Sequence, residues 1–253
     1  MTDHFQVRPE MGPEYTEQLL DGCERTRIDR MRQYIDIALT KVNKPSARLL
    51  DVGCADGAIV APFASRASLH GLDVNATFAE GAKKRGFDVR IVDFEKDKFP
   101  HESGTFDVLT SGETIEHVVN TDWFMTEINR VMKDGGIAVF SVPNINQLIS
   151  LPMMLFFDLP PRYSARFRAP HVRDFTPRTF RKCLRAFGFE VLESCGTGFF
   201  VPGFKRHLAT RVSKLNPFLA AEMVFMVRKV ETVAYDASRI VDFGETPKIF
   251  ERS

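Results

Sequence analysis

The sequence is poor in cysteine: Cys23, Cys54, Cys183 and Cys195 are scattered and form no CxxC. That argues against a disulfide scaffold and suits reduced thiols in a cytoplasmic protein. Net charge is nearly absent, since 34 Lys and Arg stand against 33 Asp and Glu for a balance of +1. With one Trp and no RNA-module motif, nucleic acid is disfavoured as a partner. No apolar run approaches the roughly 20 residues that span a bilayer. Leu148 to Leu159 comes nearest and is broken by Pro152. The polar start, Met1-Thr2-Asp3-His4, carries no signal-peptide pattern. Repeats and low-complexity segments are missing too.

What is present is a chain of 253 residues, 44% apolar and 26% charged, enough for one elaborated domain with a sizeable core. Residues 1–13 read as a flexible lead-in. Helical spacing of Leu19, Leu20, Ile28, Met31, Ile35 and Leu39 predicts one or two helices over Glu14–Lys41. Strands are then expected at Arg48–Val52, Leu69–Leu72, Asp88–Val92, Phe106–Ser111 and Ile137–Val142. Helices at Ala58–Ser65, Ala76–Arg85 and Asp122–Met132 separate them, the last stopped by Lys133-Asp134-Gly135-Gly136. This alternation implies an α/β fold with a mostly parallel sheet and helices on both faces. Residues 144–175 break the alternation as an insertion. Thr176 then caps a helix that runs to about Phe187, with Pro177 in its first position. Strands at Phe189–Ser194 and Ala221–Lys229 follow, the latter antiparallel. Between them lies a second insertion, 196–220, with a helix at about Phe204–Leu215. The division expected is a helical segment 1–45, a ligand-binding domain 46–230 and a tail 231–253.

The most informative stretch is Leu50-Asp51-Val52-Gly53-Cys54-Ala55-Asp56-Gly57. A strand, a glycine turn and a helix start let a backbone approach a nucleotide-like ligand closely. A complete GxGxxG is absent, which argues against a dinucleotide. Asp73 ends the second strand, twenty residues after Gly53, where a carboxylate can accept two ribose hydroxyls. Asp93-Phe94 ends the third strand and Thr110-Ser111-Gly112 the fourth.

In this order the motifs resemble the class I S-adenosylmethionine-dependent methyltransferases over about Arg48 to Lys229. Ala55 stands where a central glycine is commonest in that family. The nearest type is the small-molecule and ubiquinone-pathway O-methyltransferases. The resemblance implies a Rossmann-like seven-stranded sheet with one antiparallel strand, and S-adenosylmethionine as cofactor with S-adenosylhomocysteine as product. It also implies cofactor contacts at Asp51, Gly53, Cys54, Ala55, Gly57, Asp73 and Ser111. Asp93 would bond the adenine amino group, and Val74 and Phe94 would flank the ring.

Gly112-Glu113-Thr114-Ile115-Glu116-His117 follows the fourth strand and places two acids and a histidine where the methyl group should lie. Three readings stand. His117 is a general base toward an acceptor hydroxyl. Or Glu113, Glu116 and His117, with the later His171, hold a divalent metal, a pattern that resembles small-RNA 2′-O-methyltransferases. Or Glu113 caps a short helix and His117 fills the fold. His171 serves the acceptor, the metal or only its own loop; His4, His70, His101 and His207 read as solvated or structural.

The insertions are rich in apolar groups: Leu151, Met153, Met154, Leu155, Phe156 and Phe157, then Phe199, Phe200 and Phe204. From Leu159 to Lys214 there are twelve Lys and Arg against three Asp and Glu. Such segments suit a lid, or a peripheral membrane site for an amphipathic, lipid-linked acceptor. The expected protein is a methyltransferase acting on oxygen of a small-molecule or lipid-like acceptor. The alternatives are a metal-dependent RNA 2′-O-methyltransferase and a non-catalytic cofactor-binding module. Oligomeric state is not specified by the sequence.

Overall fold

A computed structural model describes residues 25–147, 150–157, 171–198 and 220–236. Its elements are α1 (Arg25–Val42), β1 (Ala47–Val52), β2 (Ala67–Asp73), α2 (Ala76–Lys84), β3 (Asp88–Ile91), β4 (Phe106–Gly112), α3 (Thr121–Val131), β5 (Met132–Pro143), α4 (Ser150–Phe157), α5 (Pro177–Ala186), β6 (Phe189–Thr197) and β7 (Glu222–Lys229). The seven strands form one sheet in the order β3-β2-β1-β4-β5-β7-β6. Pairings from β3 through β5 are parallel, and β7 runs antiparallel to both β5 and β6. This is the mostly parallel sheet with one antiparallel strand that the alternation and the resemblance imply. The chain steps outward from β1 to β3 and then crosses back to β4 on the other side of β1. Strand order reverses there, and ligands of open α/β sheets bind beyond the C-terminal strand ends at such a point.

Both sheet faces are covered, so its strands read as near-continuous apolar runs. On one face Met31, Tyr34, Ile35 and Leu39 of α1 pack with Leu49, Val108, Val139 and Met226. On the other, Phe124 and Ile128 of α3 and Phe180 and Leu184 of α5 pack with Leu50, Leu109, Phe140 and Phe225. Residues one apart on a strand fall on opposite faces, as Leu49 and Leu50 do. Asn120 caps α3 by accepting from Trp123 N at 3.3 Å. Thr176 and Thr179 form a reciprocal capping box at the start of α5, with Pro177 inside it. Among the described residues no helix is long and apolar enough to cross a membrane.

The first crossover differs from expectation. In place of a helix over Ala58–Ser65 there are turns and a 3₁₀ turn at Ala61–Phe63. The cause is local: Pro62 removes a donor, Ile59 and Val60 are β-branched, and β2 already begins at Ala67. β5 starts earlier than expected, at Met132, and runs through Lys133-Asp134-Gly135-Gly136. Phe106 pairs with Met132 and Val108 with Ile137, so the extra residues are taken up as a bulge. The lead-in 1–13, the start of the N-terminal helical segment, the 204–215 helix, most of both insertions' basic residues and the far tail lie outside the described residues.

Candidate functional site

The turn after β1 is built by backbone geometry. Gly53 and Gly57 have φ of +76° and +77°, and Ala55 has +44°. Gly53 and Cys54 donate their N–H groups to Leu72 O at 2.8 and 3.0 Å, which binds the turn to the end of β2. A side chain on Gly53 would collide with Thr114, whose Oγ1 lies 2.2 Å from the Cβ position. The glycine turn and the loop after β4 are therefore in contact at the reversal of strand order. Cys54 is buried, with Sγ over Gly71, and burial drives its thiol pKa far upward.

Asp73 anchors this turn. Its carboxylate accepts from Ala55 N and from Asn75 N, each at 2.8 Å. Burial raises its pKa against those backbone donors. Asp51 is more extreme: burial, then the charges of Asp73 and Asp56, lift it to about 8. Among the described residues no Lys, Arg or His forms an ion pair with Asp51 or Asp73, whereas Asp56 meets Arg85 at 3.2 Å. Two buried carboxyl groups without a cationic protein partner among the described residues, one of them bonded to a glycine-bracketed turn, suit a ligand with cationic groups and a diol, so the donor set fits S-adenosylmethionine. Ser111, at the end of β4, is buried with a hydroxyl that has no protein partner among the described residues.

The other expected cofactor residues differ in setting. Asp93 is partly exposed and pairs with Lys96 at 2.8 Å; that contact holds its pKa low. Val74 is exposed, whereas Phe94 is drawn into the core against Phe99 and Phe124. A cleft of about 580 Å³ lies alongside, lined by Asp56, Thr77, Glu80, Lys84 and Arg85, and includes none of these residues.

At the end of β4 the chain makes a second tight turn. Glu113 has φ +50° and donates its N–H to Ser141 O at 3.0 Å. Its Oε1 is buried without a protein partner among the described residues. A 3₁₀ turn, Ile115–His117, follows. Glu116 is fully buried, and its Oε1 lies 3.9 Å from His117 Nε2. The carbonyl oxygen of Glu116 accepts from Val172 N at 2.8 Å and Arg173 N at 3.2 Å. Those bonds bring His171 to His117 across more than fifty residues, with ring centroids 4.9 Å apart and nearly edge-on. Glu116, His117 and His171 each offer a ligand atom within 4.8 Å of the others. Glu113 stands outside that group.

Two residues of this junction carry no signal in the sequence. Thr114 is a small polar residue in a loop, yet it fills the space beside Gly53. Arg173 reads as one more basic residue, yet its guanidinium donates to Val119 O at 3.0 Å and pins the His171 segment. The exposed apolar side chains nearest in sequence are Val119 and Val172, and α4 exposes Leu151, Met154, Leu155 and Phe156.

A family model described as a methyltransferase domain matches residues 23–194. A protein named ubiquinone biosynthesis O-methyltransferase from Rhizobium etli is 27% identical over 182 residues, covering 69% of this chain and 72% of its own. One of the same name from Sinorhizobium medicae is 30% identical over 165 residues, covering 61% and 64%. The chain thus spans about two thirds of the length of these relatives. Among solved structures, a Thermotoga maritima S-adenosylmethionine-dependent methyltransferase, described as a possible histamine N-methyltransferase, superposes with a TM-score of 0.60. It is 19% identical and covers 85% of this chain and 95% of its own, a likeness of fold.

Proposed function

The chain belongs to the methyltransferase-domain family and is an S-adenosylmethionine-dependent methyltransferase; from that premise we propose that it methylates an oxygen of a small, amphipathic acceptor, with His117 receiving the hydroxyl proton. The observation that carries this reading is the convergence of Glu116, His117 and His171 at the end of β4, beside the glycine turn. The names of the relatives from Rhizobium etli and Sinorhizobium medicae support oxygen as the target.

Bound S-adenosylmethionine supplies an electrophilic methyl group on a sulfonium. The protein's own tasks are holding, aligning and proton handling. Gly53, Cys54, Ala55 and Gly57 present backbone to the ligand. Asp73 accepts the ribose hydroxyls, Asp51 balances positive charge, Ser111 bonds the methionine end, and Asp93, Val74 and Phe94 serve the adenine side. His117 is half-buried, so its imidazole stays open to an acceptor hydroxyl. The Glu116 carboxyl, 3.9 Å from Nε2, is close enough to orient the ring. His171 and Glu113 orient the acceptor.

A second reading rests on the same three ligand atoms. One carboxylate and two imidazoles within 4.8 Å suit a divalent metal that would position and acidify a hydroxyl. The exposed apolar side chains of α4, followed in sequence by a basic stretch, favour a lipid-like acceptor met at a membrane surface from the cytoplasm.

Methyl transfer to an alkylated catechol, used as a probe, tests these readings. His117→Ala should lower kcat by about 10²- to 10⁴-fold with cofactor affinity retained. Intact turnover in that variant would refute the proton-accepting role. Loss of wild-type activity in EDTA, restored by Mg²⁺, Mn²⁺ or Zn²⁺, would select the metal reading.

A further inference from the structure

The turn that carries Asp93 is tied to the loop that carries His117 chiefly through the carboxylate of Glu95. Its two carboxylate oxygens accept from Val119 N and Asn120 N, each at 2.8 Å. Asn120 Nδ2 donates back to Glu95 O at 3.4 Å. On the cofactor side, Glu95 N donates to Asp93 Oδ1 at 3.0 Å, and Asp97 N donates to Asp93 O at 2.9 Å. On the acceptor side, Val119 O accepts from Arg173, and Arg173 N and Val172 N donate to Glu116 O. The bonds form an unbroken path: Asp93, Glu95, Val119, Arg173, Glu116. It joins the expected adenine end of the site to the His117–His171 pair without passing through the ligand.

We propose that Glu95 is a positioning residue that couples cofactor binding at the Asp93 turn to the arrangement of His117 and His171. The proposal rests on the functional reading above, in which Asp93 faces the cofactor and the two histidines face the acceptor. The physical case is one of geometry and charge. A carboxylate that grips two adjacent N–H groups at the start of α3 is a charge-assisted, two-point clamp with a fixed direction. A ligand that fixes the Asp93 turn therefore fixes the Glu95 backbone, and through its carboxylate the Val119–Asn120 peptide. Arg173 passes that order on to the His171 segment. Cofactor first and acceptor second is the order of binding this favours, because the acceptor side is completed by the cofactor side. A purely structural clamp would hold α3 in the same way with or without cofactor.

Hydrogen exchange of the full chain, with and without saturating S-adenosylhomocysteine, separates the two. In the wild type, ligand should slow exchange at Val119, Asn120, Val172 and Arg173 by about five- to tenfold or more, the range of ordinary site–site coupling. In Glu95→Gln, which keeps the shape but turns an amide N–H₂ against an N–H donor, ligand should still bind while those amides stop responding. The acceptor KM should rise with the cofactor KM little changed. Arg173→Lys gives an independent cut: Val119 and Asn120 should still respond while Val172 and Arg173 do not, so the test survives if Glu95→Gln fails to fold. Binding to the wild type with no response at the four amides would overturn the coupling alone. Failure of S-adenosylhomocysteine to bind the wild type would overturn the cofactor-site reading and the coupling with it.

Discussion

Adding one methyl group at Gly53 should damage this protein in two separable ways. The first is backbone strain. Gly53 sits at φ +76°, and a residue with a Cβ pays about 1–2 kcal/mol in that region. The second is collision. The new Cβ would stand 2.2 Å from Thr114 Oγ1 and 2.8 Å from Thr114 Cγ2. Overpacking of this kind costs about 1–3 kcal/mol as neighbours shift. Gly53→Ala should therefore lose roughly 2–5 kcal/mol, a large part of the 5–15 kcal/mol typical of a folded domain. Thr114→Ala removes both close atoms and leaves only its Cβ, at 3.1 Å. By itself it forfeits the hydroxyl's contacts to Gly112 O at 3.1 Å and Val52 O at 3.4 Å, about 1 kcal/mol. In the double variant the collision is gone and the strain remains. Urea unfolding of the four proteins at pH 7 should thus give a favourable coupling of about 1–3 kcal/mol, the collision term. If the two losses add to within about 0.5 kcal/mol, Thr114 yields freely, and the close approach of the two loops is not what excludes a side chain at Gly53.

Two further outcomes concern protons. Asp51 titrates near 8 and is therefore mostly protonated at pH 7; a cationic cofactor should lower that value, so binding should release up to roughly 0.9 proton. Calorimetry of S-adenosylmethionine, without acceptor, in buffers of different ionisation enthalpy measures this, and Asp51→Asn should abolish the release; an unchanged release in that variant would acquit Asp51. His101 is depressed to about 4, by burial first and then by His70, with Arg48 and Arg90 adding to the effect and Asp88 opposing it. The unfolded chain then binds the extra proton first, so this group's contribution is complete above about pH 6.5 and is lost as pH falls toward 4, on the order of 1–2 kcal/mol after allowance for solvent. Asp51 contributes with the opposite sign between about 8 and 4, so the measure is the difference in urea stability between wild type and His101→Gln; a difference independent of pH would refute the assignment.

The fold was legible where the sequence repeats one physical unit. Strand runs such as Leu49–Leu50 and Ile137–Phe140 are apolar because both faces are covered, and their punctuation by Gly, Asp and Pro is local. The first crossover departs from the expected helix because it carries a proline and two β-branched residues and β2 begins soon after. Only nine residues separate Gly57 from Ala67, and Pro62 lies among them. The β5 bulge has a cause that is not local. Lys133-Asp134-Gly135-Gly136 has the composition of a stop, but Met132 is held by pairing with Phe106 and by Lys229, whose Nζ donates to Met132 O at 3.0 Å. Neither partner is near in sequence.

The candidate site divides along the same line between local and distant causes. Gly53, Asp73 and their spacing were visible because the turn they build is made of consecutive residues bonded to the next strand. Glu113, Glu116 and His117 look like one unit in the sequence, since i and i+3 share a face on a helix. Here the 3₁₀ turn begins only at Ile115, so Glu113 is released from that rule and stands apart, while His171 joins from more than fifty residues away. What decides membership is a pair of backbone bonds to Glu116 O, which no spacing announces. The two non-glycine residues held at positive φ nearest this junction, Ala55 and Glu113, follow the same logic. Strain of that kind persists only where neighbours over-determine the backbone. Asp73 does so for Ala55 through its N–H, and Ser141 does so for Glu113. Both turns are thereby held by the chain's own bonds, the kind of pre-organisation that alignment of a methyl donor with an acceptor requires.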